Sequence, residues 1–159
     1  MSQKAALLKA VRDELKLKIP EVANRVWVVV QDAQGNQLLP MEAEAPFLTV
    51  SDGGMAITWT PGATGLAVYA VNVRAFVQDL RDVETPVIGH TAGNAQGVAD
   101  LQGKITAALN NVLLTERITG IENATVLRET QADVVADESW WAVIGDVAVE
   151  YHMTEAQSA

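Results

Sequence analysis

The chain contains no cysteine. Disulfides, thiolate metal sites and cysteine nucleophiles are therefore excluded, and the redox compartment is unreadable. Histidine is nearly as scarce, with only His90 and His152. A hydrolytic triad needs a base oriented by a third group. Neither histidine lies in a nucleophile motif, and no G-x-S-x-G elbow occurs. Neither H-E-x-x-H nor an EF-hand pattern of spaced Asp and Asn with a closing Glu is present. No apolar run reaches the roughly 18 residues that a membrane helix needs. The opening MSQKAALLKAVRDELK has charges throughout, unlike the apolar core of a signal peptide. Basic residues are few, 11 against 20 acidic ones, for a net charge of −9. That balance opposes unspecific binding to nucleic acid or to anionic membrane. No catalytic residue, metal ligand or cofactor is assigned on these grounds, and an enzyme is not expected.

What is present suits one domain. The 159 residues are 49% hydrophobic and 19% charged, enough to bury a core and too apolar for disorder. No unit repeats, and no low-complexity linker divides the chain. Residues 1–153 are expected to form the domain and 154–159 a frayed tail. Charge is unevenly placed. Residues 1–20 hold five basic and two acidic groups, +3, and the remainder holds six basic and eighteen acidic, −12. Lys9, Arg12 and Lys16 either form a solvated helix face or dock on an acidic surface of another copy.

Hydrophobic spacing orders the elements. Leu7, Leu8, Val11, Leu15 and Ile19 make one apolar stripe and predict a helix over 3–18, capped by Ser2 and stopped by Pro20. RVWVVV (25–30) predicts a strand buried on both faces or nearly so. Residues 31–40 read as a loop. PFLTV (46–50) predicts a second strand, ended by Ser51-Asp52-Gly53-Gly54, and 56–60 a short third. LAVYAVNVRAFVQ (66–78) predicts a long strand: Tyr69, Val71, Val73, Ala75 and Val77 form an apolar face, and the alternate face is mixed. Residues 79–95 form a long polar connection. A helix over about 96–114 follows, with Asn94 as cap and a stripe of Val98, Leu101, Ile105, Ala108, Leu109 and Val112. Its Gly97 and Gly103 each weaken it by about 1 kcal/mol against alanine. A strand near 124–130, a loop over 131–138 and a strand from Trp140 to about Met153 complete a hairpin. The result is an α+β fold, a mixed or mostly antiparallel sheet of five to six strands flanked by two main amphipathic helices. Two helices cannot cover both sheet faces, so part of the sheet stays open or is covered by another copy.

Two features are set aside. Gly97 to Ile105 superficially resembles a phosphate-binding loop, but it has one residue too many between its glycines. Ile105 also stands where Ser or Thr would hold magnesium. Asp133, Asp137 and Glu138 read as a solvated loop tip rather than a cation site. The tryptophan pair Trp140-Trp141 points to opposite sides of a strand. The two either serve cores on both faces, or one of them anchors an interface.

The layout then resembles a known family. The quoted pieces are KAALLKAVRDELK, PFLTVSDGG, VYAVNVRAFVQD, DLQGKITAALNNVLL and the closing WWAVIGDVAVEYHM. In this order they look like the tail terminator, or tail-completion, proteins of tailed bacteriophages and related neck proteins. The resemblance is one of pattern over nearly the whole chain, without an invariant chemical motif. It implies a virion protein, made in the host cytoplasm, that forms a ring, usually of six. The ring caps the tail tube and joins it to the neck and head, and DNA passes through its centre. The implied partners are further copies of the chain, the tube protein and the head-tail connector proteins, with no membrane. Acidity suits a channel through which DNA slides without sticking. The polar loops 79–95 and 131–138 suit contacts with neighbouring rings. Candidate interface residues are Lys9, Arg12, Lys16, Arg81, Asp82, Glu84, Asp133, Asp137, Trp140 and Trp141. Other expectations stay open: a head-tail adaptor or tube protein, or, from another class, a small-ligand binding module or an enzyme with a cryptic site.

Overall fold

The computed structural model describes residues 3–40, 43–59, 64–78, 82–90, 96–136 and 140–156. The chain folds as one α+β domain. Helix α1 spans Gln3–Lys18 and ends before a 3-10 turn at Pro20–Val22. Its stripe of Leu7, Val11, Leu15 and Ile19 is fully buried, as the spacing requires. Glu14 is buried on the same helix. Its carboxylate accepts from Lys18 Nζ at 2.7 Å and from Arg117 Nη1 at 2.9 Å, so the charge is paired. Arg117 also donates to the Ala10 carbonyl at 3.1 Å, tying α1 to the 110–120 connection.

Six strands form one mixed sheet: β1 (Val26–Val29), β2 (Phe47–Trp59), β3 (Thr64–Val77), β4 (Ile121–Glu129), β5 (Asp133–Ala136) and β6 (Trp141–Ala156). The order is β1-β2-β3-β6-β4, with β5 also paired to β6. Only β1 and β2 run parallel. Helix α3 (Val98–Leu109) packs beside α1, and the four-residue helix α2 (Thr85–Ile88) lies in the connection before it.

Several boundaries differ from the sequence expectation. Ser51 to Gly54 does not end a strand. The register shifts between Asp52 and Met55 while β2 continues to Trp59, so the segment is a bulge. Gly54 takes φ +95°, and a Cβ on Gly53 would come within 2.8 Å of the Ala70 carbonyl oxygen. The predicted second and third strands are thus one strand. β1 is an edge strand rather than one buried on both faces, with Val28 39% and Val30 71% exposed. The 131–138 segment is not simply a loop, because residues 133–136 pair with 141–144 of β6. Strand β6 continues to Ala156 against Thr64 of β3, past the Met153 boundary. The second helix is shorter than 96–114, and Gly97 occupies its N-cap without a side-chain bond. Ser2 and Asn94, the expected caps, lie outside the described residues.

The strands' two-residue period sorts the molecule into two sides. Val71, Val73, Ala75, Val147, Val149 and Tyr151 face the helices, where they meet the stripes of α1 and α3. Strand β6 approaches α3 closely at Gly145, where a Cβ would fall 2.4 Å from Val98 Cγ1 and 2.6 Å from Gln102 Nε2. Buried Gln102 uses that closeness, donating to the Thr130 and Asp146 carbonyls at 2.9 and 3.1 Å.

Candidate functional site

The other sheet face has no helix among the described residues, and it divides into two halves. The first half, at the start of β2 and the end of β3, is closed by a small aromatic cluster and by the β1–β2 connection. Phe47 and Phe76 stack at 4.4 Å, Trp27 meets Phe47 edge-on at 5.7 Å, and Trp140 lies 6.2 Å from Phe76. Neighbouring strands place these rings side by side, because Phe47 and Phe76 are cross-strand partners. Beside them Arg74 grips Asp146 with two bonds of 2.7 and 3.1 Å, and donates to the Gly35 carbonyl at 2.6 Å. Gln37 accepts from Thr49, and the 31–37 loop is held on the sheet. Asp32 folds that loop on itself by accepting the Gln34 and Asn36 amides, and the Asn36 bond above all holds its carboxyl below the usual range.

Between this loop and β5 lies a cleft of about 310 Å³, lined by Leu39, Arg74, Phe76, Val135 and Trp140 among others. Its one charged pair, Arg74 with Asp146, is already satisfied. Among the described residues that line the cleft, none is a carboxylate or a histidine.

The second half has no cover among the described residues. Leu66 and Val68 of β3 are 53% and 37% exposed. With Thr58, Glu122 and His152 they line a shallow groove of about 330 Å³. His152 Nε2 lies 2.7 Å from Glu150 Oε1, its neighbour two residues along β6 on the same face. Among the described residues no group of three or more His, Asp or Glu is arranged to hold a metal ion. No helix among them is long and apolar enough to cross a membrane.

Eight of the ten residues singled out from the sequence are among the described residues, and they fall in two places. Lys9, Arg12 and Lys16 lie on α1, on the helix side of the sheet. Lys9 is exposed, Arg12 pairs with Asp13 at 3.0 Å, and Lys16 is half-buried. Asp82, Glu84, Asp133, Trp140 and Trp141 lie toward the end of the sheet where β3 finishes and β6 begins. Asp82 there caps α2: its Oδ1 accepts the Glu84 and Thr85 amides and the Thr85 hydroxyl, and these bonds, the Thr85 amide foremost, lower its carboxyl. Glu84 is exposed. Val83 and Ile88 flank it, 90% and 62% exposed, and make that corner apolar. Asp133 is exposed at the start of β5. Arg81 and Asp137 lie outside the described residues, as does Glu138. The tryptophans separate as the strand period demands: Trp141 packs on the helix-side core and Trp140 on the aromatic cluster. Both are half-buried. Sequence reasoning missed the Arg74–Asp146 pair and the groove. A polar residue at alternate parity on a long apolar strand was the available signal for Arg74.

No family model and no curated protein matches the sequence. Among solved structures, the chain is similar in fold to one from the virion of a native gene transfer agent (GTA) particle. The TM-score is 0.56 at 17% identity, over 94% of this chain and 96% of that one. At that identity the likeness is one of fold, and it spans both chains almost end to end.

Proposed function

We propose that this protein is a structural virion subunit that assembles into a ring, six copies in the family it resembles, to cap a phage tail tube and join it to the neck. The observation that carries this reading is the fold likeness to a virion chain over nearly the full length of both. Two further features support it. One sheet face is half bare, a surface suited to another copy. The net charge of −9 favours a lumen that DNA crosses without adhering. The enclosing partners are then the tube protein below and connector proteins above.

Negative-stain imaging with light scattering on the purified protein tests the reading. Closed rings with a central hole are the expected result. Long tubes would point instead to a tube protein. A strictly 17.0 kDa species, alone and with tube ends added, would count against both.

A further inference from the structure

We propose that the bare half of the sheet is the seat for helix α1 of a second copy of this chain. The proposal deepens the ring reading and rests on it. Among the described residues each sheet has a helical layer on one side only. Its other side carries Leu66 and Val68, exposed beside Glu122 and Glu150. An apolar strip of that kind is ordinarily covered by a helix.

Helix α1 has the matching surface. Most cations near it are engaged: Lys4 with Asp52, Arg12 with Asp13, Lys18 and Arg117 with Glu14, and Lys104 with Glu21. Lys9 and Lys16 make no ion pair among the described residues, and Leu17 beside Lys16 is 71% exposed. The outward face therefore presents two unspent positive charges and one large apolar side chain. The seat presents two carboxylates about an apolar strip, Glu150 beside His152 at 2.7 Å and Glu122 accepting from the Thr154 hydroxyl at 3.3 Å, and Arg128 stands farther along, opposite Ala148.

The spacings agree as well. Seven residues of helix separate the two lysines by about 10 Å. Glu150 lies opposite Thr125 on β4, and Glu122 lies in the bulge opposite His152 and Met153. Two residues along a strand and one strand across place Glu150 and Glu122 about 8 Å apart. Long lysine side chains span the remainder. Helix and seat lie on opposite sides of the same molecule, so every copy offers both. The contact is head-to-tail and repeats until it closes.

A charge-swap experiment on the full chain tests this, read by sedimentation velocity and light scattering at low salt. Circular dichroism confirms that each variant is folded. Lys9→Glu/Lys16→Glu and, separately, Glu122→Lys/Glu150→Lys are expected to lose the oligomer. Mixing the two variants is expected to restore it, because the reversed helix of one fits the reversed seat of the other and the remaining pair is native. Leu66→Asp is expected to abolish assembly in every mixture. If both reversals assemble like the parent chain, the ring reading survives and this seat is overturned. Loss without restoration on mixing overturns it as well, since the two surfaces are then not partners. A parent chain that never self-associates removes the self-assembly reading itself.

Discussion

Tyr151 and Tyr69 sit fully buried on the helix side of the sheet. The Tyr151 hydroxyl has no hydrogen-bond partner among the described residues, whereas that of Tyr69 donates to Asp52 at 3.1 Å. Burial is the chief reason both hold their protons far above the ordinary value of 10.0, with the charges of Glu14 and Asp52 respectively adding to it. The unfolded chain releases these protons near 10, while the folded one does not. The stability they support is thus complete below that value and is lost as pH climbs above it. The urea midpoint is expected to fall from about pH 9 to about pH 11. Tyr151→Phe is expected to flatten that fall and to cost under about 1 kcal/mol at neutral pH, because its hydroxyl forms no bond to lose. An unchanged alkaline slope in the variant would count against this account. Which face Tyr69 and Tyr151 occupy follows from parity in the sequence. That one hydroxyl has a partner and the other none depends on atoms brought from elsewhere in the chain, and parity is silent on that.

At the scale of elements, the Arg74–Asp146 pair fastens the 31–37 loop, β3 and β6 together. Its side chains are 7% and 18% exposed. Arg74→Met leaves a largely buried carboxylate and the Gly35 carbonyl without their donor, and about 3–5 kcal/mol of stability should be lost. Arg74→Met/Asp146→Leu should recover most of it, since no uncompensated charge remains. Urea denaturation of the two variants checks the order, and a double variant weaker than the single one would refute it. Amide exchange at Gln31 to Gln37 should accelerate in the single variant. The helices were legible because α1 and α3 carry strong apolar stripes on their buried sides. Strand β3 was legible because Tyr69, Val71, Val73, Ala75 and Val77 keep one face wholly apolar at the two-residue period. The bulge in β2 was not: Asp-Gly-Gly favours a turn and a bulge by the same backbone freedom, and pairing with Val71 and Tyr69 decides between them. β5 was hidden for a similar reason. Asp133, Val134, Val135 and Ala136 make a weak strand pattern, and they become a strand only because β6 extends far enough to pair with them. The candidate surface was half legible. The cations of α1 stood out as charge, but the acidic, apolar seat exists only after β3, β4 and β6 lie side by side.

For the whole molecule, uneven charge sets how association responds to salt. The first twenty residues carry +3 and the remainder −12. The Debye length shortens to about 8 Å at physiological ionic strength, so an assembly steered by Lys9 and Lys16 should weaken as NaCl rises from about 50 to about 500 mM. Sedimentation across that range reads the effect. Assembly that strengthens with salt would point to apolar contact alone. A different consequence follows from β6, which pairs with three of the other five strands and follows them all in the chain. As the chain leaves the ribosome, β3, β4 and β5 emerge before the strand that joins them. Their edges are then open to other nascent chains, the exposure that favours misassembly over folding. The interval before β6 appears is therefore when this fold most depends on chaperones.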